Sequence, residues 1–248
     1  MSSDGYMDSP PKNDTERASA GKRVGRRLRR WYAALLIGLV VASCLYLFRV
    51  PILRGVGSYL VVDEPAAADD VVLVGRSDGC YELAAHLYRS GSVAGILLLE
   101  HRPERLERMG FLPTFTTLTR RELTAQGVPP SAITVLSGET HTDWDHARRL
   151  RDWLQRQPGH DLVILCERFD GRRLRYILDR VLGADYAGHV HLLALPQQPY
   201  DERDWWRNRL GIAHVFDCYV RLAYVRLWGE DRLEWHEWDP DDFKKRLR

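Results

Sequence analysis

The sequence predicts an α/β domain, a doubly wound, mostly parallel sheet of about five strands, preceded by one transmembrane helix. Three observations lead there. Short, almost wholly apolar runs alternate with amphipathic helical stretches along the second half of the chain. Gly or Pro-Gly closes most of those stretches, as expected where a helix ends. Ahead of them, Trp31 to Phe48 form 18 consecutive residues without a charge, directly behind a basic cluster.

The 248 residues suffice for one ordinary domain and an appendage. Residues 1–30 are polar, with eight Lys/Arg against four acids and no apolar period, and predict a disordered basic cytoplasmic tail. Residues 31–53, centred on "WYAALLIGLVVASCLYLF", predict a single-pass transmembrane anchor. Its 18 uncharged residues span about 27 Å as a helix, close to the thickness of bilayer hydrocarbon. "KRVGRRLRR" on its N-terminal flank places the N-terminus in the cytoplasm. The main domain then falls on the outer, periplasmic side of the cytoplasmic (inner) membrane. "VASC" (Val41–Cys44) offers an alternative, a lipobox whose Cys44 is lipidated after cleavage. Residues 54–67 read as a linker.

The alternation then begins. "DVVLV" (70–74), "AGILLLE" (94–100), "AITVL" (132–136), "DLVILC" (161–166) and "HVHLLALP" (189–196) predict strands. Helices are predicted over 80–91, 116–127, 143–157 and 172–183, each stopping at Gly or before Pro-Gly, with a short one near "ERLERMG". "DERDWWRNRLG" and "IAHVFDCYVRLAYVRLWG" predict two more. Strands this apolar must be buried on both faces, so residues 68–230 form a Rossmann-like domain. Residues 231–248 are a polar C-terminal tail with two Trp. Beyond residue 48 the chain holds 28 basic and 30 acidic residues of the 36 and 34 in all. That near-neutral balance lacks the basic stripe that nucleic acid requires. Cys80, Cys166 and Cys218 read as small buried thiols, with one disulfide as the alternative on an oxidising side.

In such sheets ligands bind beyond the carboxyl ends of the strands. Three turns fall there. Gly75, Arg76, Ser77 and Gly79 lead from the first strand to a helix, where backbone N–H groups and a guanidinium suit a phosphate. The alternative is an ordinary βα turn capped by Asp78 or Ser77. "ETHTDWDHARRL" (139–150) follows the third strand. It is similar in spacing to the H-x-H-x-D-H run of metallo-β-lactamase-type hydrolases, with Asp143 at the second His position. A helix follows in place of the glycines such a site needs. Thr142 or Asp143 suits a helix N-cap and Asp145 the positive end of the helix dipole. Asp145 and His146 are the candidate proton-transfer groups, and Asp143 a ligand contact. A metal site on His141 and His146 is the lesser alternative. "CERFDGRR" supplies Glu167, Asp170, Arg172 and Arg173 after the fourth strand, with Asp170 and Arg173 as ligand-binding groups; the alternative is a solvated helix start with local salt bridges.

"ADDVVLVGRSDG", "AAHLYRSGSVAGILLLE", "GVPPSAITVL" and "DWWRNRLGIAHVFDCYVRL" together resemble the SanA/YdcF/ElyC-like family in order and spacing over residues 68–228. The resemblance implies a membrane-anchored Rossmann-like domain tied to envelope integrity and, in some members, to a lipid-carrier intermediate. Where that family has Asn in "T-x-E-N-A" this chain has His146, and where it has the His of "H-x-x-R" this chain has Asp170, while Arg173 keeps the Arg. The expected function is therefore to bind or process a phosphorylated or glycosylated, lipid-linked envelope precursor. The alternatives are a non-catalytic envelope scaffold with a degenerate site and a metal-dependent hydrolase. Neither an enzymatic step nor a cofactor follows from these residues.

Overall fold

A computed structural model of the chain describes residues 31–32, 35–44, 46–74, 78–103, 105–196 and 199–230. The tails at 1–30 and 231–248, and Gly75, Arg76 and Ser77 of the first turn, lie outside the described residues. The chain divides between Ile52 and Leu53 into two units.

The larger unit is an α/β domain built on one all-parallel sheet. Its strands are β1 (Asp70–Leu73), β2 (Gly95–His101), β3 (Ile133–Thr140), β4 (Leu162–Cys166) and β5 (Val190–Ala194), side by side in the order β3-β2-β1-β4-β5. Val72 of β1 lies opposite Leu97 on one side and Ile164 on the other. The order reverses between β1 and β4, which makes that boundary the topological switch point.

Side chains alternate across the strands, so each strand feeds two cores. Val71, Leu73, Ile96, Leu98, Val163 and Leu165 pack with Ala84 and Ala85 of α3 (Asp78–Arg89). Leu123 of α5 (Phe115–Ala125) closes the same face. Val72, Leu97, Leu99, Ile164 and Leu192 pack on the other face against α6 (Asp143–Leu154) and α7 (Gly171–Ala187). The short α4 (Arg105–Arg108) has no buried residue. A third cluster joins Leu60 to Phe169, Trp205 and one side of the last helix, α8 (Arg209–Trp228).

Four expectations change. β3 runs on to Thr140 rather than ending at 136, because Thr140 pairs with His101 past a register shift and its hydroxyl donates to Glu100 O at 2.7 Å. Residues 201–208 do not join the helix expected over 201–211, whose last three residues instead open the final helix. Asp201 Oδ1 accepts the Arg203 N–H and Asp204 Oδ1 the Asp201 N–H, local bonds that compete with helical pairing and leave only a 3-10 turn at Trp205–Arg207. α7 continues past Gly183, which takes φ 68° at a kink.

The fourth change concerns residues 54–67, which are not a free linker. A helix, α2 (Arg49–Leu60), enters the domain, with Leu60 fully buried. Gly57 lies under the Trp205 indole, where a Cβ would come within 2.9 Å of the ring. Trp205 Nε1 donates to Leu53 O at 3.0 Å and Tyr219 Oη to Val56 O at 2.7 Å. Val62 then packs on the backbone at Gly171, where a Cβ would meet Val62 N at 2.9 Å. The next two residues run along β5. Glu64 N donates to Leu192 O at 2.7 Å, Leu192 N to Glu64 Oε2 at 3.3 Å and Ala194 N to Asp63 Oδ1 at 3.2 Å.

In the first unit, α1 (Leu35–Cys44) exposes Leu35, Leu36, Ile37, Leu39, Val40 and Val41. Among the described residues no single helix is long and apolar enough to cross a membrane. α1 and α2 pass that test only together, as a bent pair.

Candidate functional site

A cavity of about 130 Å³ opens at the switch point, lined by Val74, Asp143, Cys166, Glu167, Asp170 and Arg173, with Cys80, Leu165 and Leu174 completing its wall. Each polar group reaches it from a strand end or the first turn of a helix. Val74 follows β1, Cys166 ends β4 and Glu167 follows it, Asp143 opens α6, and Asp170 precedes α7, whose first turn holds Arg173. Parallel strands ending together and helices starting there explain why residues far apart in sequence meet.

Arg173 is the hub. Its guanidinium donates to Asp143 Oδ2, and to Asp170 Oδ1 from Nη2 at 3.0 Å and Nε at 3.3 Å. Burial opposes the charge on Asp143, but His146 and Arg173 outweigh it and hold its carboxyl well below the usual range. Burial likewise works against the guanidinium, and the charges of Asp143 and Asp170 reverse this and push its pKa up. Asp143 is thus a fixed carboxylate acceptor at neutral pH. Arg173 spends three of its five N–H donors on these two carboxylates, which offset its charge.

His146 is buried and points elsewhere than the cavity. Its ring stacks on His101 with centroids 4.9 Å apart, and His101 stacks on Phe115 at 4.8 Å. His146 Nδ1 stands 3.7 Å from Asp143 Oδ1, too long for a hydrogen bond, so the contact is electrostatic. Neither ring nitrogen has a hydrogen-bond partner.

Asp145, expected as a proton-transfer group, is instead a structural cap. Its Oδ2 accepts the N–H of Thr142 at 3.0 Å and of His141 at 2.9 Å, while Thr142 Oγ1 accepts the Asp145 N–H at 3.2 Å. This is a reciprocal capping box at the start of α6. Asp145 Oδ1 takes Arg148 Nη2 at 2.6 Å, and Arg148 also reaches Glu230. Burial works against the charge, but the bonds from His141, Arg148 and Thr142 prevail and hold the carboxyl down at about 2. Asp145→Ala should cost about 1–2 kcal/mol in urea unfolding at pH 7, from the lost cap and its ion pair. Because the folded-state pKa is depressed, this stability is present above about pH 4 and lost as the pH falls toward the folded value. The gap between variant and parent should close over that window.

The structure therefore brings Asp143, Asp170 and Arg173 together. Gly79 sits in the first turn of α3 beside the lining residue Cys80. Gly75, Arg76 and Ser77 lie outside the described residues. His141 is exposed and does not join His146 in a donor cluster. The metal-binding atoms that do gather, among the described residues, belong to Asp170, His214 and Cys218.

Cys166, which the sequence suggested only as a small buried thiol, lines the cavity, as does Glu167 from the run after the fourth strand. Cys80, Cys166 and Cys218 are buried thiols outside any disulfide. Burial and then the Asp170 charge push Cys166 and Cys218 up to about 12. Neither is a thiolate nucleophile at neutral pH. Among the described lining residues there is no Ser, Thr or His, so the wall holds acceptors and one engaged cation rather than a nucleophile with its base. Against known proteins, the chain matches no family model, no curated protein and no solved structure.

Proposed function

We propose that the domain binds the sugar-bearing part of a phosphorylated or glycosylated cell-envelope precursor, held on the outer side of the membrane by residues 31–53. One observation supports it above the others. The cavity at the β1/β4 switch point presents three carboxylates, Asp143, Glu167 and Asp170, around a single arginine that two of them already occupy. A net negative wall of acceptors suits hydroxyl or amide donors and disfavours a phosphate at that spot. Any phosphate of the ligand falls to Arg76, on the sequence expectation for the first turn. The small volume fits one edge of a sugar ring, with the rest of the ligand outside.

The anchor rests on the uncharged run, its basic flank, and apolar side chains exposed along α1. A helix that is apolar in this way finds its natural solvent in lipid. Binding is favoured over turnover because the described lining residues offer no activated nucleophile.

The test uses the full chain in detergent. It is titrated separately with a polyprenyl diphosphate carrying an amino sugar, with polyprenyl phosphate and with the free sugar. Glu167→Gln removes one acceptor while keeping the side chain's shape, and should weaken the sugar-bearing lipid about tenfold or more, the size of a hydrogen bond to a charged group. Polyprenyl phosphate alone should be unaffected by that change. Failure of the sugar-bearing lipid to bind, or equal binding by parent and variant, would overturn the proposal.

A further inference from the structure

We infer that Asp170, His214 and Cys218 form a binding site for a divalent transition metal, with zinc the best match. Asp170 is shared with the cavity of the proposed envelope ligand, but His214 and Cys218 do not line that cavity, so metal binding is tested without that ligand. One ligand atom from each residue, a carboxylate oxygen, a ring nitrogen and the thiol sulfur, lies within 4.8 Å of the others. Cys218 Sγ stands 3.9 Å from Asp170 Oδ1. Bonds of about 2.0 Å to O or N and about 2.3 Å to S, at tetrahedral angles, put donors roughly 3.5 Å apart. The three atoms need to close by only a few tenths of an ångström to over one ångström to hold an ion, within the reach of side-chain rotation.

The fold supplies this geometry from two directions. His214 and Cys218 are one turn apart on α8 and share a face. Asp170 is the residue before α7 and turns its carboxylate to that face. The imidazole is already braced. Its Nδ1 lies 3.0 Å from Tyr200 Oη, and its ring meets Phe169 edge-on with centroids 5.7 Å apart. A hydrogen-bonded second ring nitrogen is the usual outer support of a metal-bound histidine, fixing the ring and its tautomer.

The donor chemistry selects the metal. A thiolate with an imidazole and a carboxylate suits a borderline-soft ion, and disfavours calcium or magnesium, which take oxygen. Binding requires the Cys218 thiol to give up its proton, which the ion's charge promotes. Three protein ligands leave a fourth position for water or another donor. Asp170 would then join the metal to Arg173 and the cavity wall.

The experiment loads the metal-free full chain, in detergent, with zinc and separately with cobalt(II). One equivalent of zinc should bind, and the cobalt form should show a thiolate-to-metal charge-transfer band in the ultraviolet. Cys218→Ala should abolish the band, and His214→Gln should weaken zinc at least about tenfold, as loss of a ligand or its support does. Cys80→Ala should change neither. Circular dichroism of each variant separates loss of metal from loss of fold. Should a variant unfold, His214→Asn provides the second, milder change. Absence of stoichiometric zinc, or a charge-transfer band that survives Cys218→Ala, refutes the site.

Discussion

Arg173→Met will lower the stability of the domain by about 3–5 kcal/mol at pH 7, the range for removing one partner of a buried ion pair. Arg173 is buried to 15 % exposure and is shared by Asp143 and Asp170, which come from different helices. Methionine keeps much of the bulk but leaves two carboxylates facing each other in a small cavity with no cation between them. The cost is therefore mostly the uncompensated charge, and a second change should relieve it. Asp143→Asn added to Arg173→Met should recover about 1–3 kcal/mol of the loss, a coupling typical of groups in one network. The pH dependence has a definite sign. Asp143 has a depressed folded-state pKa, so its contribution is present above the ordinary carboxylate range and disappears as the pH falls through the folded value. Acidification should accordingly narrow the gap between Arg173→Met and the parent. Urea unfolding at pH 7 and again at about pH 2–3, inside that window, measures both effects. A loss below about 1 kcal/mol, the scale of an exposed pair, would mean that water screens the triad.

Phe169→Ala is the second large effect, at about 3–5 kcal/mol. Phe169 has no exposed surface and is among the largest fully buried side chains. It holds the third core together between α2, the 3-10 turn at Trp205 and α8, with its ring stacked on Tyr200 at 6.1 Å and edge-on to His214. Removing the ring leaves a cavity between elements that are fixed to each other elsewhere, by Trp205 to Leu53 and by Val62 against Gly171. Collapse to fill it is therefore restricted, which favours the upper part of the range. Phe169→Leu should cost much less, about 1–1.5 kcal/mol, because most of the volume is kept. The two variants are compared by thermal or urea unfolding. An alanine variant no worse than the leucine one would show that the core relaxes around the gap.

The parallel sheet was legible because its strands are buried on both faces. "VVLV", "GILLLE" and "LVILC" hardly contain a polar residue, and they are short and evenly spaced, unlike the long uncharged run at 31–48. The Thr142 cap was legible too, with Asp145 at the positive end of the helix dipole, while the reciprocal bond of Asp145 back to the cap was not. Asp143, Asp170 and Arg173 could be placed at one sheet edge by counting strand ends. Other features depend on partners that no local pattern reveals. Residues 54–67 read as linker because of Gly55, Gly57, Ser58 and the Pro-Ala run. Yet Gly57 is small so that Trp205 can approach, a contact spanning about 150 residues by sequence. Strand β3 looked finished at Leu136 because its last residues are polar, and only pairing with His101 extends it. His214 and Cys218 show a one-turn spacing in the sequence, but two residues are no site until the fold brings Asp170 to them.

One more consequence follows from the chain that enters the domain. β5 is an edge of the sheet, and bare edges recruit other chains into intermolecular pairing. Asp63 and Glu64 occupy its N–H groups at Leu192 and Ala194 and put two carboxylates along that side. The same few residues that connect α2 to the domain therefore act as its guard against aggregation. A chain shortened past residue 64 would lose the guard along with the tether, and its tendency to self-associate would rise even with the core intact.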